Sequence, residues 1–229
     1  MHLMIVGDVN PYDMLKLVKR NQSKKSFAEI VDLKREFIVE DNTAYKKDDS
    51  IKMDILMPKV SVGLKLPYRK YQENELLLND FMFKILLENF FGSASPIYQE
   101  MLDEELINTG FNYSLYLDDF TGFIKISANT NKPEEFKDYV INKLLELKNY
   151  RIDEKDFSRI KKAMIGSYIK GLDNPEFIAN VYLDYKLKNC DLFTCMELLK
   201  DLKVEDLYSL RGYFVKKAIT SFTIYPKSN

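Results

Sequence analysis

Residues 111–128 read FNYSLYLDDFTGFIKISA, and this stretch decides the fold. Phe111, Tyr113, Leu115 and Leu117 fall on one side of an extended chain, which predicts a strand over 111–117 with one apolar face. Ile124, Ile126 and Ala128 do the same for a strand over 122–128. Only Asp118 to Thr121 connects the two, and Asp118-Asp119 is turn chemistry, so the pair is a hairpin.

Working outward, Val60, Val62, Leu64 and Leu66 alternate with polar or small residues, which predicts a strand at 58–66 that Pro67 ends. From about Tyr71 to Phe91 the pattern is helical. Leu78, Met82, Ile85 and Leu86 share a face, with Leu77, Phe81 and Phe90 beside it, so this helix meets more than one neighbour. Gly92-Ser93-Ala94-Ser95-Pro96 breaks it, and a second helix runs to about Leu106. Phe136, Val140, Leu144 and Leu147 stripe a helix that begins near Pro133. Further helices are expected near 153–170, 175–187, 192–200 and 203–215, and a strand at 218–225. At the other end, residues 2–6 (HLMIV) are expected as a strand, followed by a helix from Asn10-Pro11 to about Asn21. Residues 27–39 are ambiguous between strand and helix, and Glu40 to Lys52 reads as an exposed loop. The expectation is an α+β fold over 1–229: a largely antiparallel sheet of strands 2–6, 58–66, 111–117, 122–128 and 218–225, with helices packed on one face.

Composition narrows the chemistry. Of 229 residues, 34 are Lys or Arg and 35 are Asp or Glu, which argues against a general nucleic-acid binder. His2 is the one histidine, and a zinc hydrolase site needs about three protein ligands. A Ser-His-Asp or Cys-His machine likewise needs a histidine held in a formed site. Cys190 and Cys195 are too few for a disulfide framework and five apart on a helical region, so they read as buried reduced thiols in a cytoplasmic setting. The apolar stretch Leu76 to Phe91 carries Asn79, Asp80, Lys84, Glu88 and Asn89, so it reads as a buried helix and not a membrane span.

No stretch is a self-contained active site. Asp103-Glu104-Glu105 would fan over about 200 degrees of a helix and cannot converge on a metal. Lys24-Lys25 and Lys161-Lys162 are isolated pairs without aromatic interleaving. Gly92-Ser93-Ala94-Ser95 lies between helices and lacks the Gly-Lys-Ser/Thr ending of a phosphate loop. It is a small-residue joint whose backbone amides could meet a peptide or another subunit.

The order of the pieces resembles a known family. MHLMIVGDVNP, then PKVSVGLKLP, then the long apolar helix, then FFGSASPIYQEMLDEELINTGFNYSLY and FTGFIKISANTNKPEEF are similar to the second domain of the pitrilysin-type zinc peptidases. These are the inverse zincins, a family with the mitochondrial processing peptidase and bacterial processing-protease relatives among its members. The resemblance runs from Met1 to about Pro226 and is most specific from Gly92 to Tyr113. It implies a non-catalytic C-terminal domain. The family's zinc is held by His-x-x-Glu-His in a first domain, and that motif is absent from this sequence, so zinc is implied for a missing catalytic half and no cofactor for this chain.

What the resemblance implies for function is a substrate-enclosing wall that holds an extended peptide near a zinc site supplied elsewhere. The family's small-residue loop maps onto Gly92, Ser93, Ala94 and Ser95, and its substrate-facing tyrosine onto Tyr113. Leu102 stands where many members carry an arginine. The implied partners are a zinc-binding peptidase half or subunit, a peptide substrate and a possible second copy in a dimer, with neither nucleic acid nor membrane. The chain's start, where the family's second domain starts, suits a half of a longer protein better than a separate subunit that lost catalysis. A scaffold subunit with the same fold and no peptide-binding role is the rival reading.

Overall fold

The hairpin forms as its alternation requires: β3 (Asn112–Leu117) pairs antiparallel with β4 (Gly122–Asn129). Beyond β4 lies β2 (Lys59–Leu66), also antiparallel, then β5 (Ile219–Pro226), and finally β1 (Asp48–Met53), which runs parallel to β5. The computed structural model describes residues 2–29, 36, 38–72, 74–108, 110–118 and 120–227. The sheet order β1-β5-β2-β4-β3 leaves β3 at one edge and β1 at the other.

Helices cover one face of this sheet. Val60, Val62 and Leu64 of β2 and Ile124 and Ile126 of β4 are fully buried beneath them. The reverse face shows Tyr116, Phe123 and Phe222 to solvent. Helix α4 (Pro133–Glu146) lies against β2 and β5 through Phe136, Val140 and Leu144, the stripe read from the sequence. Helix α2 (Glu75–Phe91) lies against β3 and also meets α3 (Pro96–Asp103), α5 (Glu154–Gly171), α7 (Cys195–Asp201) and a 3-10 stretch over Val204–Tyr213. Twelve of its 17 residues are buried, as its wide apolar surface foretold. Helix α6 (Pro175–Leu187) packs through Ile178, Val181 and Tyr185 against the rim of this core.

Several boundaries follow from single residues. Asn74 has φ 54, so α2 starts at Glu75 and not at Tyr71. Glu105 has φ 55, and the Leu106 amide reaches back to the Met101 carbonyl at 2.8 Å, which ends α3 at Asp103 and not at Leu106. The helix expected at 203–215 takes the tighter 3-10 form.

Two expectations about the sheet are corrected. Residues 2–6 form no strand, and Leu3 and Ile5 are exposed. A strand needs a ladder partner, and the place beside β5 is taken by residues read as loop. All six residues of β1 are exposed, because it is an outer edge strand and presents charge to solvent. Its hold is backbone rather than apolar: the Ser221 amide donates to the Lys47 carbonyl at 3.0 Å and the Lys227 amide to the Met53 carbonyl at 2.9 Å. The ambiguous segment 27–39 falls largely outside the described residues, and those described in it are in neither helix nor strand. Helix α1 (Pro11–Gln22) forms with Asn10 as cap, and none of its residues is buried.

The core and the N-terminal helix should therefore respond differently to truncation. Ile126→Ala, at a site with no exposure, is expected to cost ~2–5 kcal/mol in urea unfolding. Leu15→Ala on α1, half-exposed, is expected to change it by no more than ~0.5 kcal/mol. Equal losses in the two variants would mean that α1 belongs to the cooperative core.

Candidate functional site

The small-residue joint and Tyr113 meet through a third residue, Glu88, near the C-terminal end of α2. The Tyr113 hydroxyl donates to the Glu88 carboxylate. Burial of the ring, followed by the bond to Glu88 and its charge, pushes the Tyr113 hydroxyl well above the usual phenol range. The same Glu88 lies against Gly92. A methyl group at position 92 would run into both the carbonyl oxygen and the carboxylate of Glu88. Gly92 has φ -64, which any residue adopts, so glycine is needed here for space and not for backbone freedom.

The four joint residues divide in role. The Gly92 amide donates to the Glu88 carbonyl at 2.9 Å, and the Ser95 amide to the Gly92 carbonyl at 2.8 Å. Ser95 is buried, and its hydroxyl caps α3 by accepting from the Tyr98 amide at 3.0 Å. Ser93 and Ala94 are exposed. Among the described residues, no hydrogen bond joins Tyr113 to the joint directly. Its ring stands half-buried between Phe91 and Phe111, at centroid distances of 6.4 and 6.3 Å.

Tyr113 also borders a feature that the sequence did not disclose. A groove of about 590 Å³ runs between β3, α2 and α5, and Phe177 of α6 also lines it. Leu87, Leu115, Ile160 and Met164 line it. Lys84, Glu88 and Arg159 stand at its rim, where Lys84 pairs with Asp80 at 2.6 Å and Arg159 with Asp156 at 3.2 Å. The clue lay in Ala163 and Ser167, small residues one helical turn apart on the groove side of α5, which leave that wall low.

The strand beside this groove has an open side. The Asp118 amide bonds the Thr121 carbonyl at 2.9 Å, which makes 118 and 121 a hydrogen-bonded pair. Antiparallel pairs alternate, so Ser114 and Tyr116 exchange bonds with β4 while the amides and carbonyls of Tyr113 and Leu115 point away from it. Among the described residues, none partners these outward groups.

The described residues do not suit a zinc site. Among the described residues, no group of three or more His, Cys, Asp or Glu could hold a metal ion. His2 is exposed. Cys190 and Cys195 are buried, and burial, followed by the charge of Asp191, pushes the Cys195 thiol up to about 12. A protonated thiol is neither a metal ligand nor a nucleophile.

Fold and donor set together describe an α+β domain in which, among the described residues, no group of metal ligands forms. The chain belongs to the peptidase M16 family: the model of the peptidase M16 inactive domain matches residues 1–164. It is 30% identical over 230 residues to the uncharacterized zinc protease YmfH of Bacillus subtilis (strain 168), and the match covers 100% of this chain and 53% of that protein. An M16-like protein from Alicyclobacillus acidocaldarius superposes with a TM-score of 0.84 at 22% identity, over 96% of this chain and 52% of the other. A protease from Helicobacter pylori gives 0.79 at 21% identity, over 96% and 54%. The chain thus spans about half the length of these relatives. The resemblance to pitrilysin-type peptidases and the α+β layer fold both hold.

Two outcomes are expected at this site. Gly92→Ala should cost ~1–3 kcal/mol through forced displacement of the end of α2, measured by urea unfolding. A neutral effect would mean that Glu88 does not crowd Gly92. Thiol titration of the native protein at neutral pH should leave Cys195 unmodified until denaturant is added. Rapid modification would contradict its burial.

Proposed function

We propose that this domain holds an extended peptide for a zinc site carried by another domain or subunit. The open edge of β3 supports this reading most directly. An extended chain laid beside β3 can pair with the outward amides and carbonyls of Tyr113 and Leu115, adding one strand to the sheet. Such pairing uses main-chain groups and tolerates many sequences. Ser93 and Ala94, exposed at the neighbouring helix joint, would border the end of that strand, and the Tyr113 ring would form part of its floor. Fixing the peptide in one line lowers the entropic cost of bringing a scissile bond to a catalytic group. The hydrolytic chemistry belongs to the zinc-binding half, in keeping with the zinc protease that this chain is similar to over its whole length.

The test needs both halves. The chain is co-expressed with an M16 catalytic half that carries His-x-x-Glu-His, and peptide hydrolysis is followed. Leu115→Pro removes an outward donor without removing a bond to β4, and proline is tolerated at such an edge. It should raise KM about tenfold, the value of one hydrogen bond, over Leu115→Ala, which gives up the same side-chain packing and keeps the donor. Ser93→Trp should lower turnover without lowering Tm, and Tyr113→Phe should lower turnover while costing some Tm through the lost bond to Glu88. Unchanged kinetics in all three variants, or a loss in Ser93→Trp that comes only with a lowered Tm, would assign these residues to structure and leave the domain a scaffold.

A further inference from the structure

The groove described above lies directly beside the open edge of β3, and the two share Tyr113 and Leu115. In a strand added to that edge, alternate side chains point to opposite faces of the sheet. One set faces solvent with Tyr116 and Phe123. The other set points to the helix side, where Leu87, Leu115, Ile160, Met164 and Phe177 form an apolar trough. Its volume of about 590 Å³ lies within the range of pockets that enclose organic groups.

The charges at the rim decide what the trough accepts. The two cations are already matched within the domain, Lys84 by Asp80 and Arg159 by Asp156, while the Glu88 carboxylate accepts from the neutral Tyr113 hydroxyl and keeps its charge. No unpaired cation is left among the described rim residues to bind an acidic side chain, and a charge pressed against the apolar wall away from Glu88 would lose hydration without compensation. A bulky uncharged side chain loses nothing and removes apolar surface from water on both sides.

We propose that this groove is a side-chain pocket selecting extended peptides with one large uncharged residue, such as Phe, Leu or Met, on the helix side of the added strand. This rests on the β3-edge reading of the preceding section. It goes further by naming the class of residue selected and the wall that selects it.

Binding to the full chain is measured by calorimetry with acetylated, amidated peptides of alternating Thr and Val around one central guest residue. Phe and Leu guests should bind at least about tenfold tighter than the Ala guest, the Glu guest no tighter than Ala, and the Lys guest, for which Glu88 offers a counter-ion, more weakly than Phe. Ala163→Trp and, separately, Ser167→Trp fill the trough from α5 at exposed positions, so both should fold with native Tm. Each should erase the preference while leaving the weaker, guest-independent binding in place. Guest-independent binding by the wild type would overturn the pocket and spare the edge. Absence of binding by any guest would overturn both. A dimer in sedimentation that the Phe-guest peptide fails to dissociate would assign the groove to a second copy and overturn the proposal.

Discussion

Helix α2 can exist only inside this protein, and most of the remaining structure follows from that constraint. Phe81, Phe83, Phe90 and Phe91 are each essentially fully buried, and each contributes ~1.5–3 kcal/mol by leaving water. No single surface can cover a helix that is apolar on nearly every side, so the sheet takes one side while α5, α7 and the 3-10 stretch take the others. Its two buried polar side chains are satisfied. Asn79 donates to the Glu75 carbonyl at 2.8 Å, and Asn89 accepts from the Tyr150 hydroxyl at 3.0 Å. Because α2 is fixed on all sides, Glu88 is fixed too, and with it the positions of Tyr113 and Gly92.

The elements that sequence reasoning reached are those whose own residues bear the energetic reason for the conformation. β2 and β4 alternate because one of their faces is buried, and α4 carries a stripe because it lies flat on the sheet. β1 was out of reach for the opposite reason. An outer strand held by backbone bonds has no apolar face to show, and DDSIKM reads as loop. Residues 2–6 erred the other way. An apolar run signals a wish to be covered but carries no information about which surface covers it.

The site was legible in part for similar reasons. The break at Gly92–Pro96 and the tyrosine at 113 are local signals. Glu88, the residue that joins them, looked like one more charge on a helix, since its role depends on two segments brought together by packing. The groove is less local still. Its walls come from α2, β3, α5 and α6, and Ala163 and Ser167 gain meaning only once α5 is known to lie opposite an open strand.

The peptide-holding account stands on the outward main-chain groups of β3, so amide hydrogen exchange read residue by residue tests it most directly. On addition of the Phe-guest peptide, the amides of Tyr113 and Leu115 should become strongly protected. The Ser114 amide, already bonded to β4, should exchange as before. Protection that leaves Tyr113 and Leu115 unchanged, whether it appears elsewhere or nowhere, would contradict the account.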